Sequence, residues 1–207
     1  MRSARSLGAQ RARDDGAGAF DLSLAATVTA TFVAGRALYD EVIVNGVLRA
    51  KKSVWIATAN VKELFVERPG LRRGFGSILG SFAELHGRGV ELRLLHAVVP
   101  SRRFRAAFDR RPELVRGGLM MKQCPRVHMK AIIVDGNWLY IGSANLTGAG
   151  LGLKGDDKRN FELGLVTEDF ELLDRVQAMY EELWTGAPCE RCKLRELCPD
   201  PGGYSRR

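Results

Sequence analysis

Apolar and polar positions along the 207-residue chain follow two periods in turn, one near 3.6 and one near 2. RALYDEVIVNGVLRAKK (36–52) places Leu38, Val42, Val47 and Leu48 at roughly helical spacing and closes on basic residues, as a helix carboxyl end favours. SVWIATA (53–59) is a short run of β-branched and aromatic type, which predicts a buried strand. FGSILGSFAELHGRG (75–89) predicts a helix closed by Gly87 or Gly89, and VELRLLHAVV (90–99) the next strand. The segment from 101 predicts a short helix before Pro112, with LMMKQ (119–123) as a further short strand. RVHMKAIIVD (126–135) and WLYIGS (138–143) predict two strands joined by a turn at Asp135-Gly136-Asn137, a strong hairpin signal. NFELGLVT (160–167) predicts a strand, and EDFELLDRVQAMYEELW (168–184) an amphipathic helix begun by acidic residues. LSLAATVTATFVA (22–34) predicts a strand or an early helix.

That order of helices and strands, with a hairpin and a closing helix, makes an α/β sandwich around a mixed sheet. The length suits one well-buried core, and no internal repeat is visible. Three regions follow: a flexible basic arm over 1–20, one α/β domain over 21–187, and a cysteine-bearing tail over 188–207. No stretch approaches the ~18 apolar residues of a membrane helix. Residues 22–34 resemble a signal-peptide core, but Asp14, Asp15 and Asp21 interrupt the approach to it and no convincing cleavage site follows. The expected location is therefore cytoplasmic, with the four cysteines as thiols or metal ligands instead of disulfides.

A formal charge of +8 leans toward a polyanionic partner. Its distribution says more than its size. Residues 101–130 carry nine basic against two acidic residues, seven of the eight net charges. Arg102, Arg103, Arg105, Arg110, Arg111 and Arg126 in that segment are candidate nucleic-acid contacts, although a charge run is also an ordinary solvated face. It leads directly into VHMKAIIVDGNWLYIGSANLTG (127–148).

On a strand, His128 and Lys130 share a face at about 7 Å. Ser143 and Asn145, also two apart, face the same space if their strand ends there. Asp135 is an odd number of residues from His128, which favours a structural role in the hairpin. An imidazole, an ammonium, a hydroxyl and a carboxamide suit a phosphate-like transition state and include no acidic metal ligand.

His128, Lys130 and Asp135, followed by Gly142, Ser143 and Asn145, resemble the signature of the phospholipase D superfamily, H-x-K-x4-D-x6-G-S-x-N as it stands here. The resemblance implies a phospholipase D-like αβα sandwich and a metal-independent phosphodiesterase working through a covalent phosphohistidine. His128 would attack phosphorus, and a second histidine would protonate the leaving oxygen and then activate water. Lys130 and Asn145 would hold phosphate oxygens with Ser143 in support. Glu162, in NFELG, matches an acidic residue that orients a histidine in this family; the alternative is a plain strand carboxylate.

Such a mechanism needs two histidines, and the chain has one motif, since neither His86 nor His96 has a lysine two residues on. The resemblance therefore implies a twofold homodimer sharing one site, as in the small single-motif members that include bacterial nucleases. Three functions stay open: a nuclease cleaving DNA or RNA, a phospholipase D-type lipid phosphodiesterase, and a non-catalytic nucleic-acid-binding module. The basic segment favours the first, and the absence of a basic amphipathic helix with an aromatic apolar face counts against a membrane-surface enzyme. A larger nucleic-acid-processing or defence complex is a further partner compatible with a nuclease.

CERCKLRELCPDP (189–201) sets Cys189, Cys192 and Cys198 at C-x2-C-x5-C spacing, and Cys124 could complete a four-thiolate site. The spacing resembles the iron–sulfur clasp of several DNA-repair and CRISPR-associated nucleases. A structural 4Fe-4S cluster is one expectation and zinc the competing one. Catalysis itself should need no cofactor.

Overall fold

In the computed structural model, residues 27–67 and 74–202 are described. The arm expected over 1–20 lies outside the described residues, as do the first part of the 22–34 segment and the end of the tail.

Among the described residues, one mixed sheet runs in the order β1-β9-β8-β7-β2-β5-β6. Its strands are β1 Thr31–Ala34, β2 Ser53–Thr58, β5 Glu91–His96, β6 Met120–Gln123, β7 Ala131–Val134, β8 Trp138–Gly142 and β9 Leu163–Thr167. β2, β5 and β6 are mutually parallel, and the remaining pairs are antiparallel. A small hairpin, β3 Phe65–Glu67 with β4 Phe75–Ser77, stands apart from this sheet.

β7 has four successive buried residues because it lies between two apolar layers. Ile132 and Val134 enter the core built with Val54, Ile56, Leu92 and Leu94. That face is covered by the turns at Tyr39–Gly46, by α1 (Ile78–Gly87) and by α2 (Arg102–Asp109). Ala131 and Ile133 enter the opposite core, where Leu173, Val176, Tyr180 and Trp184 of α3 (Phe170–Thr185) pack. Period-two alternation on the strands and period-3.6 stripes on the helices thus close an α/β sandwich around a mixed sheet.

The helix starts follow local chemistry. Ser77, Ser101 and Asp169 each accept a backbone N–H from the first turn of α1, α2 and α3, caps worth about 1 kcal/mol each. Gly186, at φ +83°, ends α3 in the left-handed conformation that glycine adopts without strain.

Several boundaries differ from the periodic expectation. The 36–52 segment forms wide turns over Tyr39–Gly46 and a tight one over Val47–Arg49 instead of a regular helix. A regular backbone is not needed to bury Leu38, Val42 and Val47. The helix expected from 75 starts at Ile78, because Phe75–Ser77 pairs with Phe65–Glu67 as strand. The hairpin strand expected over 126–135 begins only at Ala131, so His128 and Lys130 precede it. Pro125 lacks an N–H for a ladder, and the chain turns there. The 160–167 strand likewise starts at Leu163, which leaves Glu162 in a loop.

The register places the carboxyl ends of β2, β5, β6 and β8 at one edge with the amino ends of β7 and β9. In open α/β sheets that edge is where ligands bind. Among the described residues no helix is long and apolar enough to cross a membrane.

Candidate active site at the sheet edge

His128 sits on the loop from β6 to β7. Cys124 N–H donates to His96 O (2.8 Å) and Val127 N–H to Cys124 O (3.0 Å). With Val127 buried, this turn leaves His128 exposed. Lys130 O accepts the Gly142 N–H at 3.1 Å, which ties the histidine loop to the end of β8. The Lys130 side chain bends back over its neighbour. Its Nζ donates to His128 O (2.7 Å) and lies 3.1 Å from Nδ1 and 3.3 Å from Nε2 of the His128 ring. The two groups meet by this fold-back, not by strand alternation. Burial lowers the Lys130 ammonium from its ordinary value, with the Glu162 carboxylate acting the other way.

Gly142 is set by close packing. A Cβ there would meet the Tyr140 hydroxyl at 2.4 Å and Leu163 O at 2.5 Å. The hydroxyl is buried, and burial pushes it up to about 12 against the lowering effect of the Ala144 N–H. Next along, Ser143 accepts the Leu163 N–H (3.2 Å), and its Oγ donates in a very short bond to Glu162 Oε2. Asn160 Nδ2 donates to the other Glu162 oxygen at 3.1 Å. Within this chain Glu162 thus orients Ser143; no bond to His128 is made, which departs from the histidine-orienting role the resemblance implies.

Asn145 is held by its oxygen. Oδ1 accepts the Asn60 N–H (3.0 Å) and lies 3.2 Å from Thr58 Oγ1, at the carboxyl end of β2. Its Nδ2 has no partner among the described residues and is left to donate. Thr58 and Asn60 are absent from the motif, and only the end of the strand at 53–59 hinted at them.

Asp135 stands at the other end of β7. Its carboxylate accepts the N–H groups of Lys51, Lys52 and Ser53 at 2.7–3.1 Å, and its own N–H donates to Ser53 O. Burial alone would push this carboxyl up. The Ser53, Lys52 and Lys51 N–H groups, with the Lys52 charge, outweigh that and hold it below its ordinary value. Asp135 at φ +55° and Gly136 at φ +70° take the left-handed backbone that closes the turn to β8.

The basic residues divide between two clefts and the surface. Arg102 and Arg103 line a cleft of about 580 Å³ together with Asn60, Lys62, Asn145 and Lys154. Arg126 lines a second cleft of about 800 Å³ together with His128. Arg105 and Arg111 spend N–H groups on Pro100 O and Ala107 O. Arg110 acts electrostatically on the half-buried Glu63, whose acid burial raises. Lys62 and Lys154 lie outside the 101–130 basic segment, so charge density alone did not single them out.

All four cysteines are free and half-buried. Cys124, Cys189 and Cys192 line the cleft that holds His128. Among the described residues no three His, Cys, Asp or Glu side chains gather around one point as a single metal ion requires.

The fold has solved counterparts. Nuc from Salmonella typhimurium, described as a phospholipase D family member, superposes with a TM-score of 0.54 at 17% identity, over 75% of this chain and 95% of its own. NucT from Helicobacter pylori gives 0.52 at 15% identity over the same shares. A polyphosphate kinase from Porphyromonas gingivalis gives 0.52 at 12% identity, over 86% of this chain but 27% of its own. At such identities the likeness concerns fold alone. No curated protein matches the sequence. Residues 43–184, most of the chain and all of the motif, match the family described as cardiolipin synthase, PLD-like domain. With a mixed-sheet sandwich shared with Nuc, the chain belongs to the phospholipase D superfamily.

Proposed function

We propose that this protein is a metal-independent nuclease that cleaves DNA or RNA through a covalent phosphohistidine, in a site that two copies of the chain complete. One observation carries the reading. At an open sheet edge the Lys130 ammonium is held against the His128 ring, while the fold leaves the Asn145 amide nitrogen free to donate.

A ring nitrogen of His128 attacks phosphorus as the bond to the leaving oxygen breaks, and the negative charge on the phosphoryl oxygens meets Lys130 Nζ and Asn145 Nδ2. The leaving oxygen takes a proton from His128 of the partner subunit. That imidazole then takes a proton from water, whose oxygen attacks phosphorus and releases the first histidine. Glu162 fixes Ser143 beside this phosphate position.

An exposed apolar strip favours a second copy. Leu163 and Leu165 share the outward face of β9, and Phe32 stands opposite Leu165; the three are 54%, 37% and 64% exposed. The strip adjoins Glu162 and Ser143, on the same sheet face as α3 but beyond the part that the helix covers. Arg102, Arg103, Lys62 and Lys154 extend the positive surface from Asn145, which suits a phosphate backbone read with little sequence preference.

The test is cleavage of labelled single- and double-stranded DNA, RNA and phospholipid vesicles in the presence of EDTA. Nucleic acid should be cut, and His128→Ala should abolish the cutting. Cleavage that demands Mg²⁺ would sink the phosphohistidine route. Turnover of vesicles alone would establish the lipid alternative, and binding without turnover the binding module. A monomer under active conditions would refute the shared site.

A further inference from the structure

The β3–β4 hairpin stands apart from the main sheet and carries two aromatic rings that the fold does not bury. Phe65 and Phe75 are 54% and 49% exposed, so apolar surface is left in water there at a cost in free energy. Pairing sets Phe65 opposite Ser77 and Phe75 opposite Glu67. The two phenylalanines are therefore diagonal neighbours on one face of the hairpin, about 7–8 Å apart along it. Val66 alternates to the other face, where it is fully buried and holds the hairpin to the core. Two further bonds fix that position. Ile78 N–H donates to Leu64 O (3.0 Å), and Glu67 N–H to Tyr39 Oη (2.8 Å).

A single exposed ring is ordinary protein surface. These two share a face and line the cleft of about 580 Å³ together with Lys62, Arg102, Arg103 and Lys154. Glu63 is the one acid among the described residues of its wall. The same cleft reaches Asn145. Backbone bonds tie its parts together, with Lys62 N–H donating to Leu146 O (3.0 Å) and Ser101 N–H to Val61 O (3.0 Å). The hairpin stem, the start of α2 and the Asn145 loop are thus held in one fixed relation.

We propose that this cleft is a binding groove for single-stranded nucleic acid, in which unpaired bases stack on Phe65 and Phe75 while the cations follow the phosphates toward Asn145. The proposal deepens the function proposed above and rests on nucleic acid being the substrate. Aromatic faces interleaved with cations are the chemistry of single-strand grooves. In a duplex the bases are stacked on one another and offer only their edges, whereas a single strand leaves their faces free. The rings therefore add affinity for unpaired strands alone, and the cations serve both forms. A bilayer takes apolar groups that protrude into it, but these rings line the wall of a cleft.

The test is fluorescence anisotropy on full-length His128→Ala protein in EDTA, so that the probe stays intact. The probes are a short labelled oligothymidylate, the same strand paired with its complement, and an abasic strand of equal length. The intact single strand should bind about 10-fold or more tightly than the abasic one. Phe65→Ala and Phe75→Ala should each weaken binding of the intact strand about 10-fold and leave the duplex affinity within about twofold. Phe75→Trp should retain the affinity, and Phe65→Leu, apolar but without a ring, should behave as the alanine variant does. Equal affinity for the intact and abasic strands, measured with the hairpin unaltered, would overturn the proposal. So would alanine variants that hold the strand as well as their parent, or that lose only phosphatidylglycerol vesicles. The nuclease reading fails separately: wild-type protein that holds the strand through both rings and cuts nothing keeps the groove and loses the phosphohistidine route.

Discussion

The two ends of β7 carry parts of one motif and could hardly differ more. At the amino end, His128 is exposed, Lys130 leans on its ring, and Asn145 across the edge presents an amide nitrogen with no partner among the described residues. At the carboxyl end, Asp135 is sealed by three backbone N–H groups from Lys51, Lys52 and Ser53. Four buried residues, Ala131–Val134, separate them. The strand works as a rigid spacer. One terminus presents donors at an open sheet edge, and the other anchors the hairpin to the start of β2. On the proposed function, the motif joins groups whose energies enter different quantities, rate at one end and stability at the other.

Substitutions should separate those quantities. His128→Ala should lower cleavage on the order of 10⁴-fold or more while the melting temperature stays put; thermal unfolding beside a turnover assay checks both. Asn145→Asp keeps the oxygen that accepts from Asn60 but replaces the free donor, so kcat should fall about 10²–10³-fold in a folded protein. If its activity survives, the open end does not hold phosphate through that nitrogen.

Asp135→Ala should do the reverse. It leaves three N–H groups without an acceptor and should cost about 1–3 kcal/mol of stability in denaturant titration, with kcat nearly unchanged below the transition. Because the folded Asp135 carboxyl lies below its ordinary value, its contribution is complete above about pH 4 and fades as pH falls through the folded value. Asp135→Asn should accordingly flatten the acid limb of a stability–pH curve. Equal acid sensitivity in both proteins would remove Asp135 from that role.

The smallest effect is expected from Arg102→Ala with Arg103→Ala. A few-fold weaker binding to nucleic acid should come with a log–log salt dependence shallower by about 2. No change in slope would mean these arginines merely solvate α2.

The periodic pattern foretold the sandwich because burial on both faces of a sheet demands it. β2, β5, β8 and α3 fall where apolar alternation and stripes put them, within a few residues at the ends, while β7 keeps only the second half of its expected span. It missed the β3–β4 hairpin, since Phe65–Glu67 is too short to show a period and Gly76 has no side chain to mark one. At the site, His128, Lys130, Ser143 and Asn145 were legible as residues, but the strand drawn through His128 was not formed. Thr58 and Asn60 were illegible because a group that anchors Asn145 from 85 or more positions away leaves no local spacing to read.

By itself, then, the sequence determined which chemical groups exist, the alternation that puts each strand's faces toward a core, and the turn at Asp135-Gly136. Those are local matters of side-chain chemistry, backbone freedom and hydrophobic period. Only the tertiary structure decided how the groups meet. Lys130 folds back onto His128, Glu162 takes Ser143 as its partner, and a buried Lys122 draws the tail to the strand that leads to the His128 loop. Each depends on hydrogen-bond geometry across the sheet edge or between distant segments, which register and burial set and which no spacing along the chain encodes.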